Sequence, residues 1–243
     1  IGLMGAAISD YPAIDDLCAE ILARNFTMSV ASFRADSVTP EMVEALKVSG
    51  TKTLTLAPEA GSRKMRAVIN KGIEEEHLFS ALEMGAKAGV DHYRLYIMIG
   101  LPFETSVDIE AIPALALRLK EKLDTFTKKG TITLSINPFV PKPFTPFQWF
   151  PMADKRYIEG ALKVIRDRLK KTGIKIIAES PREAILQGLL ARGGRDVGEA
   201  LYLAWRRGGR KVFKTVLKEK NIKIVELMGK REAEEIFPWE TID

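Results

Sequence analysis

Two periodicities alternate along the first part of the chain. Apolar and polar residues take turns, the period of two expected of half-buried strands, near 2–8, 27–34, 52–57, 92–99 and 131–137. Between these runs the apolar positions recur every three or four residues, as on an amphipathic helix. PAIDDLCAEILAR places Ile14, Leu17, Cys18, Ile21 and Leu22 on one face, with Pro12 suited to the first helical turn. TPEMVEALKVSG offers Thr39 as a cap, Pro40 at the first helical position and Gly50 as a stop. GIEEEHLFSALEMGAKAG spends acids in its first turn, where the helix dipole favours them. TSVDIEAIPALALRLKEKL opens on Thr105 and Asp108, a capping signature. Strand, helix, strand, helix with short connections predicts a parallel sheet with right-handed crossovers.

The faces of the strands decide between a doubly wound sheet and a barrel. Tyr93, Leu95, Ile97 and Ile99 form one apolar face, while His92, Arg94, Tyr96 and Met98 form the other. Thr133, Ser135 and Asn137 likewise oppose Ile132, Leu134 and Ile136, and Thr53, Thr55 and Glu59 oppose Leu54 and Leu56. A doubly wound sheet is covered by helices on both faces and reads apolar on both. Here one face is polar enough to line a solvated interior, which favours a barrel or part of one, an α/β fold.

Active sites of such folds lie at the C-terminal ends of the strands. Those ends carry Ser9 and Asp10, Ser32 and Arg34, Glu59 with Gly61 and Ser62, Gly100 with Glu104, and Asn137. Any one is unremarkable in a loop; the coincidence of five polar or glycine strand ends is the functional signal. TLTLAPEAGS (53–62) is the sharpest case, because a carboxylate and a glycine–serine pair stand where a strand hands over to a helix.

After residue 137 the pattern changes. Prolines at 138, 141, 143, 146 and 151 preclude a regular element. Helices are then expected near 154–172, 180–192, 195–206 and 209–218, with a short strand at IKIIA. Two Arg-Gly-Gly breaks surround an amphipathic helix in RGGRDVGEALYLAWRRGGRKVF. Residues 1–150 therefore read as the partial barrel and 151–243 as a mostly helical extension.

Charge sharpens that division. Residues 1–150 carry 16 Lys and Arg against 18 Asp and Glu, whereas residues 151–243 carry 21 against 14, so the basic excess belongs to the extension. The chain has 243 residues, 46% of them hydrophobic, enough for a substantial core. No run reaches the roughly 18 apolar residues of a membrane span, and no signal peptide opens the chain. A single cysteine excludes a disulfide framework and fits a reducing cytoplasm. His77 and His92 lack a second histidine at ligand spacing, so no metal site is expected from this chain. The chain opens on a strand rather than on Met, as expected of a piece of a longer protein.

Taken in order, ASFRAD, APEAGS, INKG and YIMIGLPFET resemble the second half of a radical S-adenosylmethionine (radical SAM) barrel. The likeness is strong over 27–150. It is greatest to uncharacterised radical SAM proteins with an upstream cobalamin-binding-like domain, in the branch of the tRNA methylthiotransferases. NPFVPKPFTPFQW and the RGG-containing tail resemble the same group. The resemblance implies an iron–sulfur oxidoreductase-type enzyme whose first strand and cluster loop precede these residues, with S-adenosylmethionine and a [4Fe-4S] cluster as cofactors, cobalamin as a further candidate and RNA as a candidate substrate.

The resemblance also assigns positions. Glu59 falls where the superfamily contacts the ribose hydroxyls, and Lys71 where a basic residue meets the methionine carboxylate. Gly100, Leu101 and Pro102 pass the adenine, Tyr96 lies near the ribose, and Ser32 with Arg34 matches a Ser-x-Arg motif aimed into the site. Ser9 takes the place of a glycine-rich strand end that receives the methionine amino group; Gly5-Ala6-Ala7 stands where others have Gly-Gly-Glu. Ser62 and Asn137 complete the candidate cofactor-binding set, and no catalytic residue is assigned. The cluster needs three closely spaced cysteines, and Cys18 is the only one. The fragment alone is therefore expected to hold no cluster, retain no cofactor and be inactive. Its uncovered sheet edge is expected to invite an edge-strand dimer.

Plainer roles compete for the same residues. Glu59 near a helix start gains tenths of a kcal/mol up to about 1 from the dipole alone. Arg34 paired with Asp36 or Asp10 forms a surface ion pair worth ~0–1 kcal/mol, and Lys71 before Gly72 also suits an ordinary helix C-terminus. Two other function classes remain open: a nucleic-acid-binding module using the basic extension, and a metal-free barrel enzyme.

Overall fold

The computed structural model describes residues 1–4 and 8–240. Gly5, Ala6 and Ala7 lie outside the described residues. Six strands alternate with helices: β1 (Gly2–Leu3), α1 (Ile14–Ala23), β2 (Ser29–Val30), α2 (Pro40–Val48), β3 (Thr53–Glu59), α3 (Arg63–Val68), α4 (Glu75–Lys87), β4 (His92–Ile99), α5 (Ser106–Asp124), β5 (Thr131–Pro138), α6 (Lys155–Leu169) and β6 (Lys175–Ala178). Then come α7 (Pro181–Arg192), α8 (Arg195–Arg207), α9 (Arg210–Glu219) and α10 (Ile224–Leu227).

The chain divides into two compact units. The sheet unit comprises Ile1–Ile99, Phe103–Asn137 and Gly160–Ala178; the helical unit comprises Gly100–Pro102, Pro138–Glu159 and Glu179–Asp243.

In the sheet unit β1 pairs with β2, β3 with β4, and β5 with β6, all parallel. The larger sheet runs β3-β4-β5-β6. A parallel bridge between Phe33 and Leu56 ties the segment after β2 to β3, through Phe33 N–H to the Thr55 carbonyl (2.8 Å) and Ala57 N–H to the Phe33 carbonyl (3.1 Å). Strand order thus follows chain order with no reversal, the arrangement of a (βα) barrel rather than of a doubly wound sheet with its switch point. Among the described residues the ring does not close, so the fold is an α/β partial barrel.

Burial follows the alternation read from the sequence. Leu54, Leu56, Tyr93, Leu95, Ile97, Ile99, Ile132, Leu134 and Ile136 are buried. Thr55, Arg94, Tyr96, Met98, Thr133 and Ser135 on the opposite face are half-buried. Helix ends obey their predicted chemistry. Thr39 Oγ1 accepts from Met42 N–H at 3.2 Å with Pro40 beside it, and Thr105 with Asp108 closes a capping box.

Three expectations change. β2 is only two residues long because pairing lapses after Val30 and resumes at Phe33, on β3. Pro12 lies in a turn ahead of α1 rather than inside it. IKIIA, too short to show a period, pairs in register with β5 (Leu134 opposite Ile176), so α6 and β6 add to the sheet beyond the five strands expected.

Several aromatic residues of the helical unit pack on one another. Phe139–Phe147 (5.7 Å between centroids) and Phe147–Phe150 (5.6 Å) meet edge to face. Trp149, Phe237 and Trp239 form a second run at 4.4 and 4.7 Å. Arg192 is 1% exposed and donates to the carbonyls of Phe150 (2.6 Å) and Gly229 (2.7 Å). It thereby holds the tail to the proline-rich segment.

Candidate functional site

Within the sheet unit, residues from four separate stretches meet at the C-terminal ends of the first strands. β3 carries an irregularity there. Leu56 stands opposite Leu95 but Glu59 opposite Ile97, so three steps on β3 match two on β4. A bulge of this kind re-aims the side chain that follows it. Glu59 sits on it in the left-handed region (φ 64°), which a residue with a Cβ adopts only under strain.

Lys71 reaches Glu59 from the other side. α3 ends at Val68, and left-handed Asn70 (φ 53°) and Gly72 (φ 64°) turn the chain back. The turn brings Lys71 Nζ to 3.6 Å from the Glu59 carboxylate. Burial raises the pKa of Glu59, and the Lys71 ammonium opposes that rise. The two side chains are 25% and 19% exposed, accessible to a ligand without being freely solvated.

Arg34 joins the pair to the first strand end. Its guanidinium donates to the Lys71 carbonyl (3.3 Å) and to Asp36 (2.7 Å) and lies 3.7 Å from Asp10. Both predicted acidic partners are thus present, and the Asp36 hydrogen bond raises the Arg34 pKa. Ser37 Oγ donates to Ser9 Oγ at 2.6 Å, holding the buried Ser9 beside this group. Ser9, Arg34, Glu59 and Lys71, predicted separately, therefore form one connected cluster.

The other predicted residues have different surroundings. Ser62 is engaged as the α3 cap, accepting from Met65 N–H at 3.1 Å, and donates to Asp108 Oδ1 at 2.7 Å. Gly61 is required by close packing, since a Cβ there stands 2.4 Å from the Ile112 backbone nitrogen of α5. Ser32, after β2, and Tyr96, in the middle of β4, are half-buried, and Asn137 near the end of β5 is exposed. Gly100, Leu101 and Pro102 belong to the helical unit. There Gly100 (φ 79°) leaves its Cβ position 2.7 Å from the Ala153 Cβ.

Three charged residues stand outside the predicted site set: Asp108, expected only as a cap, Arg94, expected only on the polar strand face, and Arg66. Asp108, 5% exposed, accepts from Ser62, Lys64 Nζ (2.7 Å) and both the N–H and hydroxyl of Thr105. Burial pushes its carboxyl up, but these donors outweigh burial and bring it down to about 2. Arg66, 2% exposed, donates to the carbonyls of Ala60, Gly61 and Ile73. It thereby fixes the loop that follows Glu59. Arg94 on β4 stands in register with Thr55 on the half-buried face, and its Nε is buried without a hydrogen-bond partner. An unsatisfied buried donor of this kind calls for a partner from a ligand or water.

The donor set fits a ligand with a vicinal diol and a carboxylate. Glu59 offers an acceptor, and Lys71 and Arg34 offer cations. The residues do not fit an iron–sulfur cluster. Cys18, the single cysteine, is 1% exposed on the apolar face of α1, and burial raises its thiol pKa. A cleft of 520 Å³ against α3, α4 and α5 is lined by charges already paired, Arg118 with Glu75 (2.7 Å) and Arg63 with Glu74 (3.0 Å).

Residues 1–116 match the radical SAM superfamily. An uncharacterized protein of Methanocaldococcus jannaschii is 34% identical over 203 residues, which make up 83% of this chain and 43% of that protein. The chain thus spans less than half the length of this curated relative. Among solved structures, coproporphyrinogen III oxidase of Escherichia coli, described as a radical SAM enzyme, aligns at 15% identity. Its TM-score is 0.48, over 66% of this chain and 37% of that one. No helix among the described residues is long and apolar enough to cross a membrane.

Proposed function

We propose, from the match of residues 1–116 to the radical SAM superfamily, that the strand-end cluster of the sheet unit binds S-adenosylmethionine. Glu59 accepts hydrogen bonds from the two ribose hydroxyls. Lys71 turns from Glu59 to the methionine carboxylate, with Arg34 behind it and Arg94 as a further cation on the same sheet. Ser9 receives the amino group. In the superfamily the nucleotide and a [4Fe-4S] cluster together supply radical chemistry. The thiolates for that cluster are not among these residues, so the role of this chain is to hold and orient the nucleotide.

The observation that carries the reading is Glu59, a half-buried carboxylate kept in a strained backbone conformation beside the Lys71 ammonium. An ordinary helix start needs neither the strain nor the bulge. The finer reading is an iron–sulfur enzyme of the methylthiotransferase-like branch that modifies RNA or another macromolecule. It rests on the ordered motifs ASFRAD, APEAGS, INKG and NPFVPKPFTPFQW.

Titration calorimetry of the full-length protein with S-adenosylmethionine tests the assignment. Hydrogen bonds to a charged acceptor are worth roughly 1.5–3 kcal/mol, so Glu59→Ala is expected to weaken binding about ten- to a hundredfold. Unchanged affinity in a folded variant would return Glu59 to a structural ion pair with Lys71.

A further inference from the structure

The helical unit carries a surface that neither its packing nor the nucleotide site uses. From Ala200 to Lys218 the chain has six cations (Arg206, Arg207, Arg210, Lys211, Lys214 and Lys218) and no acid. This stretch forms most of a helical hairpin in which α8 packs on α9. Gly208 (φ 128°) and Gly209 (φ 76°) make the reversal between them, in conformations that favour glycine. The hairpin buries Val197, Ala200 and Ala204 from α8 and Phe213, Val216 and Leu217 from α9.

Helical geometry sends the remaining residues outward. At 100° per residue, Arg195, Gly198, Glu199, Tyr202, Trp205 and Arg206 fall on the side of α8 opposite its buried stripe, with Glu199 paired to Lys220. Tyr202 is 55% exposed and Trp205 71% exposed, and their rings lie 5.9 Å apart. An added Cβ at Gly198 meets nothing within 4 Å, so the helix surface beside Tyr202 is open. On α9, Lys211, Lys214 and Lys218 recur at three and four residues, forming one exposed stripe. Arg207 is paired with Glu219 and Arg210 with Glu183. Among the described residues Arg206, Lys211, Lys214 and Lys218 have no ion-pair partner.

We propose that the α8–α9 hairpin is a docking surface for single-stranded nucleic acid, with Trp205 and Tyr202 stacking on bases and Arg206, Lys211, Lys214 and Lys218 neutralising phosphates. Charge complementarity selects this occupant, because an acid-free stretch with four unpaired cations matches a polyanion. The exposed aromatic pair adds what a duplex backbone does not use, open ring faces for unpaired bases. A lipid surface fits less well. The outward stripe holds two aromatic rings with polar edges, two arginines, a glutamate and a glycine rather than a broad aliphatic face. The surface lies wholly in the helical unit, and its test needs no S-adenosylmethionine, so it stands or falls separately from the nucleotide site.

Fluorescence titration of the 243-residue chain with a labelled oligouridine of about 12 nucleotides reads the interaction. Binding is expected to quench tryptophan emission, and its salt dependence to have a slope of about −3, from four phosphate contacts on a single strand. Trp205→Ala is expected to weaken binding about tenfold, the effect of one lost stacked base. Trp205→Phe should keep the affinity and lose most of the quench. Lys211→Glu, Lys214→Glu and Lys218→Glu combined should bring the slope to about −1 or flatter. Because all these positions are exposed, an unchanged circular-dichroism spectrum verifies folding. Four outcomes overturn the proposal: no binding at low salt, affinity indifferent to Trp205→Ala, tighter binding to duplex DNA or to phosphatidylserine vesicles, and a dimer in sedimentation that quenches Trp205 without nucleic acid.

Discussion

The sheet unit and the helical unit both bury charge, but they satisfy it differently. At the strand ends of the sheet unit two acids have cations brought from elsewhere in the chain, Lys64 for Asp108 and Lys71 for Glu59, while Arg66 beside them is held by backbone carbonyls. In the helical unit, Arg192 is held by two carbonyl oxygens, and both its Nε and that of Arg231 are buried without a partner. Arg231 lies close enough to lower the Arg192 pKa, to about 10, together with the larger effect of burial. Compensated charges can trade one partner for another, as a ligand site requires. A guanidinium bound to backbone carbonyls cannot be exchanged without freeing the segments it holds. The first arrangement suits binding and the second suits fastening, so substitutions at the paired acids and at carbonyl-bound Arg192 should differ in size and in sign.

The largest effect is expected where fastening is lost. Arg192→Ala leaves two carbonyl groups without their donor and opens a cavity in a well-packed region. Each buried acceptor left without its donor costs about 1–3 kcal/mol, and the cavity adds to that. Urea unfolding followed by tryptophan fluorescence is a direct readout, because Trp149 and Trp239 lie in the segments concerned. A loss below about 1 kcal/mol would mean that the tail is held by its aromatic stacking alone, and the contrast between the units would lose its main support.

Asp108 gives an intermediate effect with a distinctive pH dependence. Its folded pKa of about 2 lies below the ordinary 3.8. The unfolded state therefore takes up protons first as pH falls, and the stabilisation is present above pH 4 and lost as pH drops through 2. The shift corresponds to about 2 kcal/mol at neutral pH, falling to about half of that at pH 3. Asp108→Asn should lose about that amount in urea unfolding at pH 7, with the gap from the unmodified protein narrowing at pH 3. A gap constant across this range would show that hydrogen bonding to Ser62 and Thr105, rather than charge, ties α3 to α5.

These three sites also differ in how far the sequence reveals them. The strand end at Glu59 is legible because alternation stops abruptly at APEAGS, and the Thr105–Asp108 cap is legible because spacing alone defines it. The burial of Asp108 is not, since its partners Ser62 and Lys64 lie more than 40 residues away. Arg66 and Arg192 are harder still. Periodicity treats an arginine as a solvent-facing position, and only the folded chain shows the carbonyls that accept from them. The left-handed turn at Glu59 is likewise invisible, because the usual markers of positive φ, glycine and asparagine, are absent from that position. The polar barrel face was readable from strand alternation, but which of its side chains lacks a partner, Arg94, depends on packing.

The smallest effect should carry the opposite sign. Glycine tolerates φ 64° without strain, so Glu59→Gly removes a left-handed penalty of about 1–2 kcal/mol and the cost of burying a carboxylate. Against this stand the lost ion pair with Lys71, whose ammonium retains some solvent, and the greater freedom of glycine in the unfolded chain, each worth up to about 1 kcal/mol. The expected result is a protein more stable by a few tenths to about 1 kcal/mol, with S-adenosylmethionine binding at least tenfold weaker in the full-length protein. Stability gained while affinity is lost is the signature of a residue kept for a ligand rather than for the fold. If Glu59→Gly instead destabilises the protein by more than about 1 kcal/mol, Glu59 is a fastening residue like Arg192, and the distinction between a binding unit and a fastened one fails at the position where it matters most.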